Sequence, residues 1–521
     1  MSSCIHYRFV PVWLSLLLGV LLSGMGSGSG LQAQELFNPG RLHDIRVTIA
    51  EPGWYDSLQA FYNAGLKGEE KKVLRSAMVI DGDTLAAPVA IRFKGHYSNY
   101  GFPGPKKPFR LHFGKFDEQQ DYQGIRKLNL HNLAGDPSFM REYIAYGFMR
   151  AIGIPASRTA FTRLFINGAY YGCYLVVEEP EDKLFLKQHF GTDKGNLFDA
   201  AETTDLAWVD SLPASYPELQ LQSKDREGAW NGLLDWLYLV NKYYRFDFLQ
   251  KLSDRFATTD YLKVLAADML LDNWDSYAAN GRNFYLYETP EDGRIHWIPW
   301  DYNLAFWYKN LPPFPANSKG KYRPLIWRIL DHPYLKQQYL ATLCRLIDQE
   351  AATYPVEQLT LGAFNLIRDA VESDTLKFYS NEAFRLNRTE MVTVNMLRDS
   401  KPKDVALPGI TSYFAKRRTD MRKTLAAMGC DCDKAAEAQH QGLTALIYPN
   451  PVRTVLHLYV EDEVTTLQAR VITAGGSTLS QHNLKLEAGK ATIDIHQLPG
   501  GIYFLSLYGE GKQRLLRFFK P

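Results

Sequence analysis

The order of elements across residues 271–303 limits the folds open to this chain more than any other feature. Residues 260–271 are apolar at helical spacing. Residues 284–287 and 295–298 read as strands, with Pro290, Glu291, Asp292 and Gly293 as the turn between them. Asp272 and Asp275 precede this hairpin and Asp301 follows it. The predicted order is therefore helix, acidic loop, hairpin, acid. A hairpin returns the chain to its starting end, so Asp275 and Asp301 are expected to meet at one point. Carboxylate oxygens converging there suit Mg²⁺, a hard cation that prefers oxygen ligands.

A chain of 521 residues has room for more than one domain and a substantial core. Its formal net charge of +2 gives no electrostatic basis for nucleic acid as the main partner. The 31 Tyr and 10 Trp favour extensive aromatic packing. Residues 1–34 read as a secretory signal peptide: a weakly positive start, a short apolar run over 10–22, a stretch of small residues, and a candidate cleavage site at Leu31 to Gln34. The apolar run is too short for a membrane anchor, and no other segment is apolar for long enough to span a bilayer. Cys4 lies too early for a lipoprotein cysteine. Beyond the signal, four cysteines remain (Cys173, Cys344, Cys430 and Cys432), too few for a disulfide-built scaffold. Cys430 and Cys432 offer a metal ligand pair or a disulfide, although a bridge between residues so close in sequence is strained.

The chain after the signal divides by pattern. Segments 43–50, 73–80, 89–94, 109–113, 159–166 and 170–177 alternate like strands, and Asn167-Gly168 is a strong hairpin signal. Asp136 followed by Pro137 predicts a helix start running to about Ile152, where Gly153 stops it. Helical spacing then dominates over 230–242, 260–271, 325–350, 356–372 and 410–428. The expected class is α+β: a strand-rich lobe over about 40–180 with one helix across it, beside a helical lobe over about 181–429, leaving a ligand cleft between. Residues 430–442 read as a polar, Ala-rich linker, and 443–521 as a small β-sandwich of short strands.

Several blocks carry a family resemblance: Arg92 to Ser98, Pro105 to Leu111, Asp136 to Arg141, Gly153 to Ala156, Asn167 to Glu178, Gly195 to Phe198, and the two acidic clusters. From about His43 to about Asp399 the chain resembles the CotH kinase family, an atypical branch of the protein-kinase-like fold. The resemblance implies a two-lobed domain using ATP with Mg²⁺ or Mn²⁺. The tail has a Tyr448-Pro449-Asn450-Pro451 opening, a Leu498 to Tyr503 block and a basic-aromatic ending at Arg517 to Lys520. It resembles the type A C-terminal sorting domain of the type IX (Por) secretion system. That implies a Bacteroidetes-type bacterium, passage through the periplasm and outer membrane, and secretion or display at the cell surface.

The resemblance implies that Asp301 holds the metal, with Asn303 standing where many relatives carry a second Asp. Asp275 is the candidate catalytic-loop acid. Asn280, five residues on, has the offset of a kinase Asp/Asn pair, and Asn283 competes with it for the metal. Asp272 and Asn273 are expected to orient the loop. Lys106 or Lys107, with Lys107 favoured, is the implied cation for the nucleotide phosphates, since alternate strand residues face opposite ways. Arg92 and Lys94 share one strand face that can line the same cleft. Residues 95–101 form a polar loop able to cover phosphates, with His96 and Tyr97 departing from the family pattern. The resemblance places Glu178 near the ribose or base, and Arg141 and Arg158 are candidates to pair with cleft carboxylates. The implied function is phosphoryl transfer from ATP to Ser/Thr of secreted or surface proteins. The alternatives are a non-catalytic adhesion or assembly protein, and a metal-dependent glycosyl or hydrolytic enzyme.

Overall fold

A computed structural model describes residues 35–521 apart from 201, 246–247, 316–322, 399–400, 434–442, 463, 474–476 and 510–511. The predicted signal peptide and most of the predicted linker lie outside the described residues. The strand-rich half contains β1 (Leu42–Thr48), β2 (Leu74–Ile80), β3 (Asp83–Thr84), β4 (Val89–Phe93), β5 (Phe109–His112), β6 (Lys127–His131), β7 (Thr159–Ile166) and β8 (Ala169–Glu178). The sequence predicts antiparallel strands. The structure goes further, because β1 pairs parallel with β7 and antiparallel with β2. The sheet thus closes into a barrel-like ring in the order β1-β7-β8-β6-β5-β4-β2, with β3 appended to β2.

Closure explains why β8 is buried without a break from Tyr171 to Glu178. Tyr174 and Val176 point into the ring, against Ile45, Val89, Leu111 and Leu128. Cys173, Leu175 and Val177 point outward into a second core shared with Ile144 and Phe148. A strand packed on both faces loses its polar alternation. The β7–β8 turn has Asn167 and Gly168 at φ 50° and 82°, the left-handed pair that a two-residue hairpin loop requires.

The helix carrying Ile144 and Phe148 spans Arg141–Ala151, starting later than Asp136-Pro137 predicts. The Asp136 carboxylate instead accepts from the Ser138 amide (2.9 Å), the Arg141 amide (2.7 Å) and Arg141 Nη1 (2.6 Å). It therefore stabilises the turn that leads into the helix.

A second sheet, ordered β10-β9-β11-β12, comprises β9 (Asn196–Ala200), β10 (Leu219–Leu221), β11 (Phe284–Glu288) and β12 (Ile295–Pro299). Helices Asn231–Lys242, Thr258–Leu270, Pro324–Asp331, Pro333–Arg345, Val356–Glu372 and Ile410–Ala427 share one core with it, and Thr258–Leu270 packs directly on β12. The helix predicted over 325–350 is interrupted at His332, which is extended (φ −80°, ψ 117°) because it precedes Pro333. A hairpin of β13 (Val392–Arg398) and β14 (Lys401–Leu407), absent from the sequence reading, packs Val394 and Met396 near Phe102 and Trp307. No helix among the described residues is long and apolar enough to cross a membrane.

The C-terminal part is a sandwich of two sheets. One is β15 (Ala445–Tyr448), β16 (Val455–Val460) and β19 (Lys490–Asp494). The other joins β17 (Thr466–Thr473), β18 (Thr478–Lys485), β20 (Gly501–Gly509) and β21 (Lys512–Lys520) in the order β18-β17-β20-β21. Leu456, Leu458, Val471, Leu505 and Phe518 fill the space between them. The two ends of the tail meet: Asn450 Nδ2 donates to the Arg517 carbonyl (3.0 Å) and Asn450 Oδ1 accepts from the Phe519 amide (2.8 Å). The Val452 amide also donates to the Phe519 carbonyl (2.9 Å), so the Pro-Asn-Pro segment covers part of an otherwise open sheet edge.

Cys432 is bonded to Cys344, with Cα atoms 5.2 Å apart and a sequence separation of 88, while Cys430 is a free thiol. Neither a Cys430–Cys432 bridge nor a metal pair forms, since Cys432 reaches a helix far away in sequence. A loop of that length makes the cross-link worth roughly 3–5 kcal/mol. Cys344→Ser is expected to lose that much in urea unfolding under oxidising conditions. The difference from wild type should vanish in dithiothreitol; a variant matching oxidised wild type would mean that the bridge constrains nothing.

Candidate functional site

The helix Thr258–Leu270 delivers the acidic loop, and its buried Asp268 ties that loop to the segment after β12. Asp268 Oδ1 accepts from Tyr302 Oη (2.5 Å) and from Asn273 Nδ2 (3.3 Å). Burial raises this carboxyl to about 7, against the pull of those hydrogen bonds. Asp272, also buried, accepts from the amides of Lys309 (2.5 Å), Asn310 (3.2 Å) and Leu311 (2.8 Å) and from Tyr413 Oη (2.7 Å). With its acceptor capacity turned to the backbone of a neighbouring segment, Asp272 anchors the loop.

Asp275 has a different environment. Its Oδ1 accepts from Asn280 Nδ2 (2.7 Å) and its Oδ2 from Asn283 Nδ2 (3.0 Å). Asn280 ends the one-turn helix Tyr277–Asn280, closed by Gly281 at φ 72°. Asn283 sits at φ 66°, a conformation Asn tolerates better than most side chains. The two asparagines that compete in the sequence thus both reach the same acid. The Trp300 amide donates to the Asn283 carbonyl (3.0 Å), extending the β11–β12 pairing and carrying the chain directly into Asp301.

Asp301 lies at φ 54°, in the left-handed region that Asp, like Asn, tolerates better than most side chains. Its amide donates to Tyr146 Oη (3.0 Å) on helix Arg141–Ala151. Its carboxylate is partly exposed and accepts no hydrogen bond among the described residues. Burial raises it to about 6; Glu142 adds to the shift, His131 and Lys94 oppose it, and Asp275 contributes a smaller repulsion.

Around Asp301 stands a constellation the sequence reading did not assemble. Lys94 Nζ lies 2.9 Å from His131 Nε2, and His131 Nδ1 lies 2.8 Å from Glu142 Oε2. An ammonium can only donate, so Nε2 accepts and the ring proton sits on Nδ1, facing the carboxylate; the bonding pattern assigns this tautomer. Burial and then Lys94 lower His131 to about 3, keeping the ring neutral. Burial raises Glu142, while the Lys94 ammonium and the Tyr302 amide favour its carboxylate form. Lys94 is lowered by burial, while Glu179 and Asp301 pull it back. Its ammonium also stands 4.9 Å from the centre of the Trp300 ring. Donor atoms of His131, Glu142 and Asp301 all lie within 4.8 Å of one another.

Beside this cluster runs a charged lane from the barrel to β9. Arg110 contacts Glu179 (3.1 Å) and Glu181 (2.6 Å), and Lys127 contacts Glu181 (3.0 Å). Burial, then Glu181 and Glu179, raise Asp199 to about 7. Arg92 lies in the same lane, lowered to about 10 by burial and by Arg110.

Other sequence candidates are engaged elsewhere. Lys106 is fully buried and paired with Asp374. Lys107 donates to the carbonyls of Asn99 (2.5 Å) and Phe102 (3.1 Å), bracing the 95–101 loop from below. Both lysines point inward because they precede β5 in an irregular stretch, where strand alternation does not hold. Glu178 takes two side-chain bonds from Arg158 (2.6 and 3.0 Å) and a third from its amide (3.0 Å), which ties the two residues to each other. Arg141 is held by Asp136, Asn387 (2.8 Å) and the Pro408 carbonyl (2.7 Å). Asn303 lies in the short turn Tyr302–Leu304, partly buried, two residues from Asp301. The alternation of Lys127-Leu128-Asn129-Leu130-His131 was the available signal for β6, and through it for His131. Glu142 carried no signal beyond its place beside Arg141.

Over residues 91–418 the chain matches the CotH kinase protein family, and over 446–519 the secretion system C-terminal sorting domain. It is similar to the inner spore coat protein H of Bacillus subtilis (strain 168), 22% identical over 303 residues, or 56% of this chain and 81% of the relative. It is also similar to invasin CotH2 of Rhizopus delemar, 22% identical over 196 residues, or 36% of this chain and only 33% of that protein. A solved biofilm associated protein (BSP domain) aligns at 14% identity over 24% of each chain with a TM-score of 0.14, a likeness too slight to inform the fold. The sorting domain directs the chain through type IX secretion to the cell surface or beyond. With the family match covering more than half its length, the chain belongs to the CotH kinase protein family.

Proposed function

We propose that this protein is an exported phosphotransferase that moves a phosphoryl group from ATP to Ser or Thr hydroxyls of secreted or surface proteins. In this reading the barrel and the helices form the two parts of a kinase-like domain, with the nucleotide between them. The observation that carries it is the pairing of an acid cradled by two asparagines, Asp275, with a second acid, Asp301, whose carboxylate accepts no hydrogen bond among the described residues.

The donor set suits Mg²⁺ or Mn²⁺. Asp301 offers carboxylate oxygens, and Asn280 and Asn283 turn their amide nitrogens to Asp275, directing their oxygens elsewhere. Asn303, two residues beyond Asp301, adds a further amide. A bound ion would neutralise charge on the transferring phosphates. Lys94, and Arg92 beyond it, supply the cations for the phosphate oxygens in place of Lys106 and Lys107. Asp275, partly exposed, orients the acceptor hydroxyl and takes its proton, while Asn280 and Asn283 hold it in position.

The test is transfer from labelled ATP to co-secreted proteins by the whole chain with Mg²⁺ or Mn²⁺. Asp275→Asn is expected to keep nucleotide binding and lose roughly 10²–10⁴-fold in rate. Transfer undiminished in this variant removes Asp275 from the chemistry. A wild-type chain that binds no nucleotide with either metal favours the second reading, a surface adhesion or assembly protein, for which the name of the invasin relative is the motivating observation.

A further inference from the structure

We propose that His131 is a positioning residue, a neutral imidazole link that joins Lys94 to Glu142 and so aims the Lys94 ammonium at the phosphate site. The inference deepens the phosphotransferase reading and rests on it for the role of Lys94. The link itself stands on geometry alone.

The three residues come from three elements. Lys94 follows β4, His131 ends β6, and Glu142 lies in the first turn of helix Arg141–Ala151. Both ring nitrogens are engaged, Nε2 with Lys94 at 2.9 Å and Nδ1 with Glu142 at 2.8 Å. No direct Lys94–Glu142 ion pair forms among the described residues. The imidazole spans the gap by accepting from the ammonium and donating to the carboxylate, a role only a neutral ring can fill. This double engagement also decides between two uses of the cluster. The donor atoms of His131, Glu142 and Asp301 lie close enough to suggest a metal. A metal on either nitrogen would break one of the two bonds, and a metal on Nε2 would displace a cation already present. His131 therefore serves as a connector, and the ion remains with Asp301 and the asparagines.

The arrangement has a mechanical consequence. Lys94 is attached through His131 to the helix whose Tyr146 holds the Asp301 backbone at 3.0 Å. One helix thus sets both the phosphate-facing cation and the metal-facing acid. A shift of that helix moves both groups together, so the site is complete only when the helix is docked against β7 and the Tyr302–Leu304 turn.

His131→Leu removes the link while keeping an apolar side chain of comparable size. His131→Gln keeps an acceptor for Lys94 and a donor for Glu142. In the whole chain, titrated with ATP and Mg²⁺ and followed by calorimetry, His131→Leu is expected to bind at least roughly tenfold more weakly, as for loss of a charge-assisted hydrogen bond. His131→Gln should stay within about threefold of wild type, by the spread of a single neutral hydrogen bond. Two variants equally impaired, or both unimpaired, overturn the proposal. A second measurement needs no nucleotide: ¹⁵N-histidine NMR of the whole chain, with the His131 signals assigned by their loss in His131→Leu. A bare Nε2 and a protonated Nδ1 at neutral pH support the link. A proton on Nε2, or on both nitrogens, overturns it. Should wild type bind no ATP, the phosphotransferase reading falls and the nitrogen signals alone decide the link.

Discussion

Lys106→Ala is expected to lower the stability of the main domain by about 3–5 kcal/mol, the usual cost of breaking a buried ion pair from one side. Lys106 and Asp374 are both fully buried. The ammonium also stands 5.1 Å from the ring centres of Phe139 and Tyr174. The Asp374 carboxylate accepts in addition from the amides of Cys173 (3.1 Å) and Leu376 (2.9 Å). Removing the lysine leaves a carboxylate in an apolar site with only neutral donors. Pairing Lys106→Met with Asp374→Asn removes the stranded charge and keeps an acceptor for one of those two amides, which bond different carboxylate oxygens, so the double variant should recover part of the loss. Urea unfolding of the whole chain, read from the transition of the main domain, measures both. A loss under about 1 kcal/mol for Lys106→Ala would place the pair in contact with water and return Lys106 to the pool of candidate phosphate ligands.

Asp301→Asn is expected to abolish the metal-dependent thermal shift given by ATP with Mg²⁺ or Mn²⁺, and at the same time to stabilise the metal-free chain at neutral pH. The first effect follows because an amide oxygen brings no charge to the ion. The second follows from the direction of the Asp301 shift, raised from its ordinary value to about 6. Between the unfolded value near 3.8 and about 6 the folded state binds the proton more tightly, so this group's contribution to stability is full at low pH and is lost as pH rises through 6. Glu142, raised by burial, acts in the same direction, and His131, lowered to about 3, acts in the opposite one. Comparing Asp301→Asn with wild type isolates the Asp301 part. Its advantage in EDTA should be small at pH 4 and reach on the order of 1–2 kcal/mol by pH 7, discounted for partial exposure. Equal melting temperatures at both pH values would mean that Asp301 is hydrated like any surface acid. A nucleotide shift that survives the substitution would move the metal to other ligands.

Legibility in the sequence tracked the distance over which each feature is specified. The Asn167-Gly168 hairpin is found where it was predicted, because two residues set its backbone. Asp275, Asn280 and Asn283 are legible as a group because one short loop carries all three. The chain's return through β11 and β12 likewise follows from local alternation and a turn. Which asparagine takes the metal is not set by the sequence, since both offsets suit a loop; in the fold both amide nitrogens reach Asp275. The breaks in local logic lie where distant segments meet. Lys106 and Lys107 looked like site cations until Asp374, hundreds of residues on, took one and the 95–101 loop took the other. Cys432 found Cys344 and passed over its neighbour Cys430. The helix expected over 325–350 breaks for a local reason, Pro333, which forces His332 out of the helical region.

By itself the sequence determined the identity and order of the parts: alternating strands, the acidic loop ahead of a hairpin, and a tail of short strands. These depend on periodicity and on turn residues within a few positions of each other, while the sorting role of the tail came from its resemblance to a known family. Only the tertiary structure decided that the strands close into a ring, and that Lys94, His131 and Glu142 stand in line beside Asp301. The reason is that a buried charge takes whatever partner the closed chain places within hydrogen-bond reach, and that choice has no signature in the residues on either side.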